Sequence, residues 1–269
     1  MDEQGKIYWH GAHFEALQLE LHEYEDALVF KKEHELSKEA LRMDTLVIKK
    51  IKNVQIDKNI GKIFKNHNIV EYKSEKDNFS FWDYQKILGY AFIYSSFEKV
   101  QMSEMTISIS LTIFPRELVK TLEAERGFTV QDEGNGIYYI HGEIVPIQIL
   151  ESKNLSEDEN LFLRNLRSNL SGEDMLKTLK SYKERKPLDA KNVFLDRIVK
   201  ANPSAFMEAM NMSEAVKEIF LEGAEKYGWL EDKFADKKQI ARKLLARGDS
   251  AEDVAEVMEM PIEAIIGLR

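Results

Sequence analysis

No cysteine occurs among the 269 residues. Disulfides, zinc-thiolate centres and thiol nucleophiles are excluded together, and a reducing compartment is permitted. No run approaches the roughly 18 consecutive apolar residues that a membrane helix needs. The first twenty residues also lack the basic start and apolar stretch of a secretory leader. These absences lead to the expectation of a cytoplasmic protein without a membrane partner. Positive charge is in short supply as well: 38 Lys and Arg stand against 47 Asp and Glu, a net −9. That balance argues against a general nucleic-acid coat, which binds phosphate by using Lys and Arg to release counterions.

What is present is a globular composition, 43 % hydrophobic and 32 % charged, in a chain long enough for two unequal domains. Charge is unevenly spread. From Lys49 to Lys65 six lysines (49, 50, 52, 58, 62 and 65) face only Asp57, a local +5. Acid gathers at positions 15 to 39 and in the C-terminal third. The polar stretch "YKERKPLDAKN" falls in a border zone of 152 to 190. On that basis 1–152 is expected to form an α/β domain and 153–269 a helical region.

Phe14, Leu17, Leu21, Tyr24 and Leu28 recur at steps of three and four, which predicts an amphipathic first helix. "ALVFKKEHEL" then predicts a short strand. "RMDTLVIKK" predicts a second, with Leu46, Val47 and Ile48 buried and Asp44 at its head. After the lysine-rich connection, "NIVEYKS" predicts a third strand, whose pleat puts Ile69, Glu71 and Lys73 on one face and Val70 and Tyr72 on the other. Ser80, with Asp83 three positions on, predicts a capped helix over "FWDYQKILGYAFIYSSF", followed by the strand "MTISISLTIF". Helix, three strands, helix, strand implies a mixed sheet with helices packed on it. A further helix is predicted from Pro115 to Gly127, then short strands over 128–150 around a Gly-Asn-Gly hairpin signal.

Glu-x-Lys occurs four times, at 71/73, 151/153, 184/186 and 231/233, so the bare motif says little. The last two copies lie in polar helical or loop sequence, where residues two apart do not face each other. The copy at 151/153 follows "IVPIQIL", a run interrupted by Pro146 with no carboxylate heading a strand just before it, and reads as a decoy. Glu71 and Lys73 alone follow a strand that carries Asp44. If the two strands pair, Asp44 and Glu71 converge as an open oxygen-ligand site suited to Mg²⁺ or Mn²⁺. Such an ion polarises a phosphodiester and lowers the pKa of bound water, and Lys73 adds a positive charge beside it. An ordinary ion pair at a sheet edge, worth about 0–1 kcal/mol if exposed, accounts for the same residues, and the pattern leaves both readings open.

The segments "WHGAHFEALQLEL", "EHEL", "MDTLVIKK", "NIGKIFKNHNIVEYKS", "DYQKILGYAFIY", "GIYYIHGEIVPIQIL" and "ENLFLRNLR" stand in an order that resembles the PD-(D/E)xK nuclease superfamily. More narrowly they resemble its transposase-associated nucleases, relatives of the recombination-promoting nucleases. The likeness runs over residues 8 to 170 and returns in the last thirty. It implies a restriction-endonuclease-like core, a mixed central sheet flanked by helices, with a C-terminal helical region. It also implies a Mg²⁺- or Mn²⁺-dependent DNA endonuclease linked to mobile-element recombination, with DNA as the partner. By the resemblance Asp44 and Glu71 are metal ligands, the Tyr72 carbonyl is a backbone ligand, and Lys73 orients or activates the attacking water. Glu20 matches an acid that the first helix contributes to the metal, while a solvated Glu remains open. Lys49, Lys50, Lys62 and Lys65 are candidate DNA contacts. Asp83, Lys86 and Tyr90 make a polar stripe on the capped helix, and Lys86 and Tyr90 are candidates for a phosphate. Glu75 departs from the family, which has proline there. A catalytically inactive nuclease-fold accessory that binds DNA or a protein is the alternative.

The six histidines, including that of "EHE" at 33–35, form no close ligand pair. The last thirty residues have helix-turn-helix spacing. "PIEAIIGLR" lacks the Arg, Lys, Asn or Gln that reads base edges, with only Arg269 at its end. The C-terminal helices are therefore expected to pack together or to meet a second copy or another protein.

Overall fold

The structure is a computed structural model that describes residues 9–31, 46–74, 77–185, 193–213, 216, 241–258, 260 and 262–267. It divides into two compact units, Met1–Ser168 with Ser181–Ile198, and Asn169–Lys180 with Val199–Arg269.

The first unit is α/β, a mixed seven-stranded sheet flanked by helices. The expected order is present: α1 (His10–Glu20), β1 (Leu28–Lys31), β2 (Leu46–Lys50), β3 (His67–Lys73), α2 (Phe81–Glu98) and β4 (Met105–Leu111). α3 (Arg116–Arg126), β5 (Thr129–Gly134), β6 (Ile137–His141), β7 (Ile147–Glu151) and α4 (Glu157–Arg164) follow. The strands lie in the order β1-β2-β3-β4-β7-β6-β5. The three central strands, β3, β4 and β7, are parallel and the outer pairs antiparallel.

Local chemistry sets several boundaries. Ser80 caps α2 through a reciprocal box with Asp83. Pro115 precedes the first residue of α3 and Gly127, at φ 66°, ends it. Gly134, Asn135 and Gly136 all take positive φ and turn β5 into β6. Gly136 also permits a close approach, since a Cβ there would meet the Glu151 carbonyl oxygen at 2.7 Å.

The pleat sorts the central strands into two faces. Ile69, Ile107, Ile109, Leu111, Ile147 and Ile149 bury against α2 and α3 through Ile87, Leu88, Ala91, Leu118 and Leu122. Each such side chain stabilises the fold by about 1.5–3 kcal/mol relative to exposure. The opposite face meets α1, where the Tyr72 ring stacks on His13 at 4.3 Å between centroids. The expected first-helix stripe is divided: α1 stops at Glu20, and Tyr24 sits in a 3₁₀ turn, His22–Ala27, where its hydroxyl accepts the Asp57 N–H at 3.1 Å.

The first unit extends past the expected border at 152. α4 is kinked at Asn160 (φ −132°, ψ 43°), and the N–H groups of Phe162 and Leu163 reach back to the Glu20 carboxylate at 2.7 and 3.2 Å. That buried anchor ties the chain after β7 to α1. α5 (Gly172–Arg185) and α6 (Val193–Ala201) run across the division, and α7 (Pro203–Met212) lies in the second unit. In the tail, the helical residues 241–247, Ala251–Met258 and Ile262–Ile266 follow the expected spacing. Ala241, Ala251, Val254, Met258, Met260 and Ile265 give it a small core of its own. No helix among the described residues is long and apolar enough to cross a membrane.

Candidate active site

β3 ends with Glu71 and Lys73 on the face that meets α2, as the alternation requires. Lys73 Nζ lies 4.0 Å from Glu71 Oε1 and 3.3 Å from Asp83 Oδ1. All three side chains are partly exposed, at 12 % for Glu71, 23 % for Lys73 and 26 % for Asp83. Asp83 divides its oxygens between two tasks. Oδ2 accepts the Ser80 N–H at 2.9 Å and the Ser80 hydroxyl at 2.6 Å, while Oδ1 faces the ammonium. Burial opposes its charge, but the Ser80 hydrogen bonds and the Lys73 ammonium prevail and hold its carboxyl below the ordinary range.

The sheet register brings a second pair to the same edge. Lys73 pairs with Leu111 across β3–β4, and Leu111 pairs with Glu151 across β4–β7. Glu151 Oε1 lies 4.0 Å from Lys153 Nζ, and its Oε2 accepts the Tyr138 hydroxyl at 3.3 Å. A cavity of about 650 Å³ opens beside this edge, between the Ser74 and Ser80 positions, the start of α3 and the Glu151–Lys153 pair. Sequence reasoning sets this pair aside as a decoy, because Pro146 looks like an interruption and no carboxylate heads a strand just before it. Pro146 in fact stands just before β7, where a missing N–H costs the ladder nothing.

Other candidates divide sharply. Asp44, like the histidine of "EHE", lies outside the described residues. Tyr72 follows Glu71, but its ring points to the α1 face, so only its backbone remains eligible as a ligand. Glu20 is 4 % exposed and spends Oε1 on the Phe162 and Leu163 N–H groups, with Lys58 Nζ 3.1 Å from Oε2. Burial raises its pKa against the pull of Lys58. The described partners therefore make Glu20 an anchor between α1 and α4.

Three lysines of the connection are engaged by partners other than Glu71, Lys73 or Asp83. Lys49 pairs across from His67, the first residue of β3, whereas Lys73 is the last, roughly 20 Å away at strand rise. Lys49 Nζ sits 2.6 Å from Glu98 Oε2, Lys50 Nζ donates to the Val54 carbonyl at 3.4 Å, and Lys65 Nζ to the Ser103 carbonyl at 2.8 Å. Lys62 is exposed. The expected polar stripe on α2 is also divided: Asp83 turns to Lys73, while Lys86 Nζ lies 5.4 Å from the centroid of the Tyr90 ring.

A divalent hard cation needs several oxygen ligands. Glu71 and Asp83 supply two carboxylates around Lys73, but among the described residues no group of three or more His, Asp or Glu is placed to hold a metal ion. The described donors are thus an incomplete set for Mg²⁺ or Mn²⁺.

Compared with known proteins, the chain matches no family model, no curated protein and no solved structure.

Proposed function

We propose that the chain is a metal-dependent DNA endonuclease with a restriction-endonuclease-like core, its site centred on Glu71 and Lys73. The observation that carries this reading is the placement of that pair, 4.0 Å apart at the end of β3, in a mixed sheet built by the order helix, three strands, helix, strand. The sequence resemblance supplies DNA as the substrate and mobile-element recombination as the setting.

In this reading Glu71, the Tyr72 carbonyl and Asp44 hold Mg²⁺ or Mn²⁺. The bound ion would polarise the phosphodiester and acidify a water. The protein's own part is positional and electrostatic. Lys73 presents an ammonium where negative charge develops on the phosphate, and it orients the attacking water. Asp83 holds Lys73 at the mouth of the site through Oδ1, and Ser80 in turn fixes Asp83 through Oδ2. The α2 capping box thereby doubles as the support of the proposed catalytic lysine.

A second reading, a nuclease-fold accessory without activity, is favoured by the same ion pairs, since Lys73 already has two carboxylate partners. Thermal unfolding separates the two. Specific binding of Mg²⁺ or Mn²⁺ raises stability by mass action, about 2.7 kcal/mol at a hundredfold excess over the dissociation constant. The endonuclease reading expects that rise in the wild type and its loss in Glu71→Ala and Asp44→Ala. No metal effect on the wild type favours the accessory.

A further inference from the structure

The cavity past the ends of β3, β4 and β7 is walled by Ser74, Leu111 and Glu151, the chain neighbour of Lys73, its cross-strand partner and the carboxylate beyond. Resting on the endonuclease reading, we propose that it receives one unpaired nucleotide next to the scissile phosphate, and that Glu151 reads the amino group of its base.

Four observations converge on this. Register places Lys73 and Glu151 on either side of Leu111 at one edge, so their backbones stand roughly 10 Å apart at ordinary strand spacing. One nucleotide laid along the edge reaches from its phosphate at Lys73 to its base at Glu151. The volume, about 650 Å³, is that of a small-molecule site and too small for a duplex. The walls include Phe79, Leu111 and Phe114, and the Phe114 ring lies 4.3 Å from that of Tyr138. Aromatic and apolar walls of this kind hold a base by its faces.

The fourth observation is Glu151 itself, whose side chain is only 6 % exposed although it lines the cavity. Tyr138 donates to Oε2, while Oε1 is 4.0 Å from Lys153, longer than a hydrogen bond. A carboxylate so placed accepts from the exocyclic amino group of cytosine, adenine or guanine; thymine has none, and its ring N3–H stands between two carbonyl oxygens that repel the carboxylate. The rim carries Arg116 and Lys153 but also Asp77 and Glu117. Phosphate attraction alone therefore does not fill the cavity, and selection falls to the base.

A base can enter only if it is out of the stack. Extrusion from a duplex costs a few kcal/mol, and a single strand escapes that cost. The substrate class that follows is single-stranded or strand-separated DNA carrying an amino-bearing base beside the cleaved bond.

The test is binding without cleavage, by fluorescence anisotropy in EDTA, with dye-labelled oligodeoxycytidylate, oligothymidylate and a blunt duplex. The wild type is expected to bind oligodeoxycytidylate about tenfold tighter than either of the others, the worth of one charge-assisted hydrogen bond. Glu151→Gln turns an amide donor toward the base amino group, because Tyr138 retains the carbonyl oxygen, and is expected to erase the preference over oligothymidylate. Lys153→Ala, at a more exposed site, should weaken both single strands equally and leave their ratio unchanged. If DNA binds with no cytidine preference, or if Glu151→Gln keeps that preference, the inference falls and the endonuclease reading stands. If none of the three DNAs binds, the inference falls, and nicking in Mg²⁺ or Mn²⁺ decides the endonuclease reading separately. Should Glu151→Gln fail to fold, the wild-type ratio alone decides.

Discussion

The ends of β3 and β7 carry the same Glu-x-Lys pattern, each with its ammonium 4.0 Å from its carboxylate, and each strand lies parallel to β4. What differs is the company each keeps. Lys73 is 23 % exposed and is steadied by Asp83 from the first turn of α2, whereas Lys153 is 46 % exposed. Glu151 is the more buried carboxylate and takes a hydroxyl donor from Tyr138. An identical motif at an identical edge can thus present a held cation at one strand and a held anion at the other. The proposed division of labour, phosphate at β3 and base at β7, follows from those neighbours.

The comparison can be sharpened first by a carboxylate that stands outside both pairs. Glu20→Ala strips the buried Phe162 and Leu163 N–H groups of their acceptor and leaves Lys58 only the Glu159 carbonyl in place of a carboxylate partner. Urea denaturation should show a loss of about 3–5 kcal/mol, the usual cost of breaking a buried charged pair. Glu71→Ala, at a partly exposed pair, should cost no more than about 1 kcal/mol. A large stability loss in Glu71→Ala would recast β3 as a structural edge.

Acid should weaken the α1 face next. Burial, with His10 adding to it, lowers the His13 pKa to about 3. The folded state therefore binds fewer protons than the unfolded chain. Its stability is full above the ordinary histidine value near 6.5 and declines as pH falls from there toward 3, by about 2 kcal/mol at pH 5. His13→Leu should flatten that decline in urea titrations at a series of pH values, while the face carrying Lys73 keeps its own acid response.

That response comes from Asp83. Its folded value is depressed, so its contribution is present above the ordinary carboxylate value near 4 and lost as pH falls through the folded value. Asp83→Asn should cost about 1 kcal/mol through the weakened cap. Lys153→Ala, at the other strand end, should stay within about 0.5 kcal/mol.

These contrasts track how far apart in sequence the interacting residues lie. The Ser80–Asp83 box and the Gly134-Asn135-Gly136 turn are local, carried by residues at most three apart, and could be read directly. The succession helix, three strands, helix, strand and the facing of Glu71 and Lys73 followed from alternation and pleat. Glu20 could not be assigned, because its partners Phe162 and Leu163 lie more than 140 positions away and become available only through the kink at Asn160. The lysines at 49, 50 and 65 looked adjacent to "NIVEYKS" along the chain, yet β3 carries Lys73 to its far end. In the sequence Glu151 reads as a decoy, because parallel pairing, which sets it level with Lys73 through Leu111, leaves no mark in a linear pattern.

The account turns most directly on Lys73. Nicking of supercoiled DNA in Mg²⁺ or Mn²⁺ should be measured for the wild type, Lys73→Ala and Lys153→Ala, each first shown by circular dichroism to be folded. The expected result is metal-dependent nicking by the wild type, a fall of at least about 100-fold in Lys73→Ala and less than about tenfold in Lys153→Ala. Equal nicking by Lys73→Ala and the wild type, or none by the wild type, would contradict it.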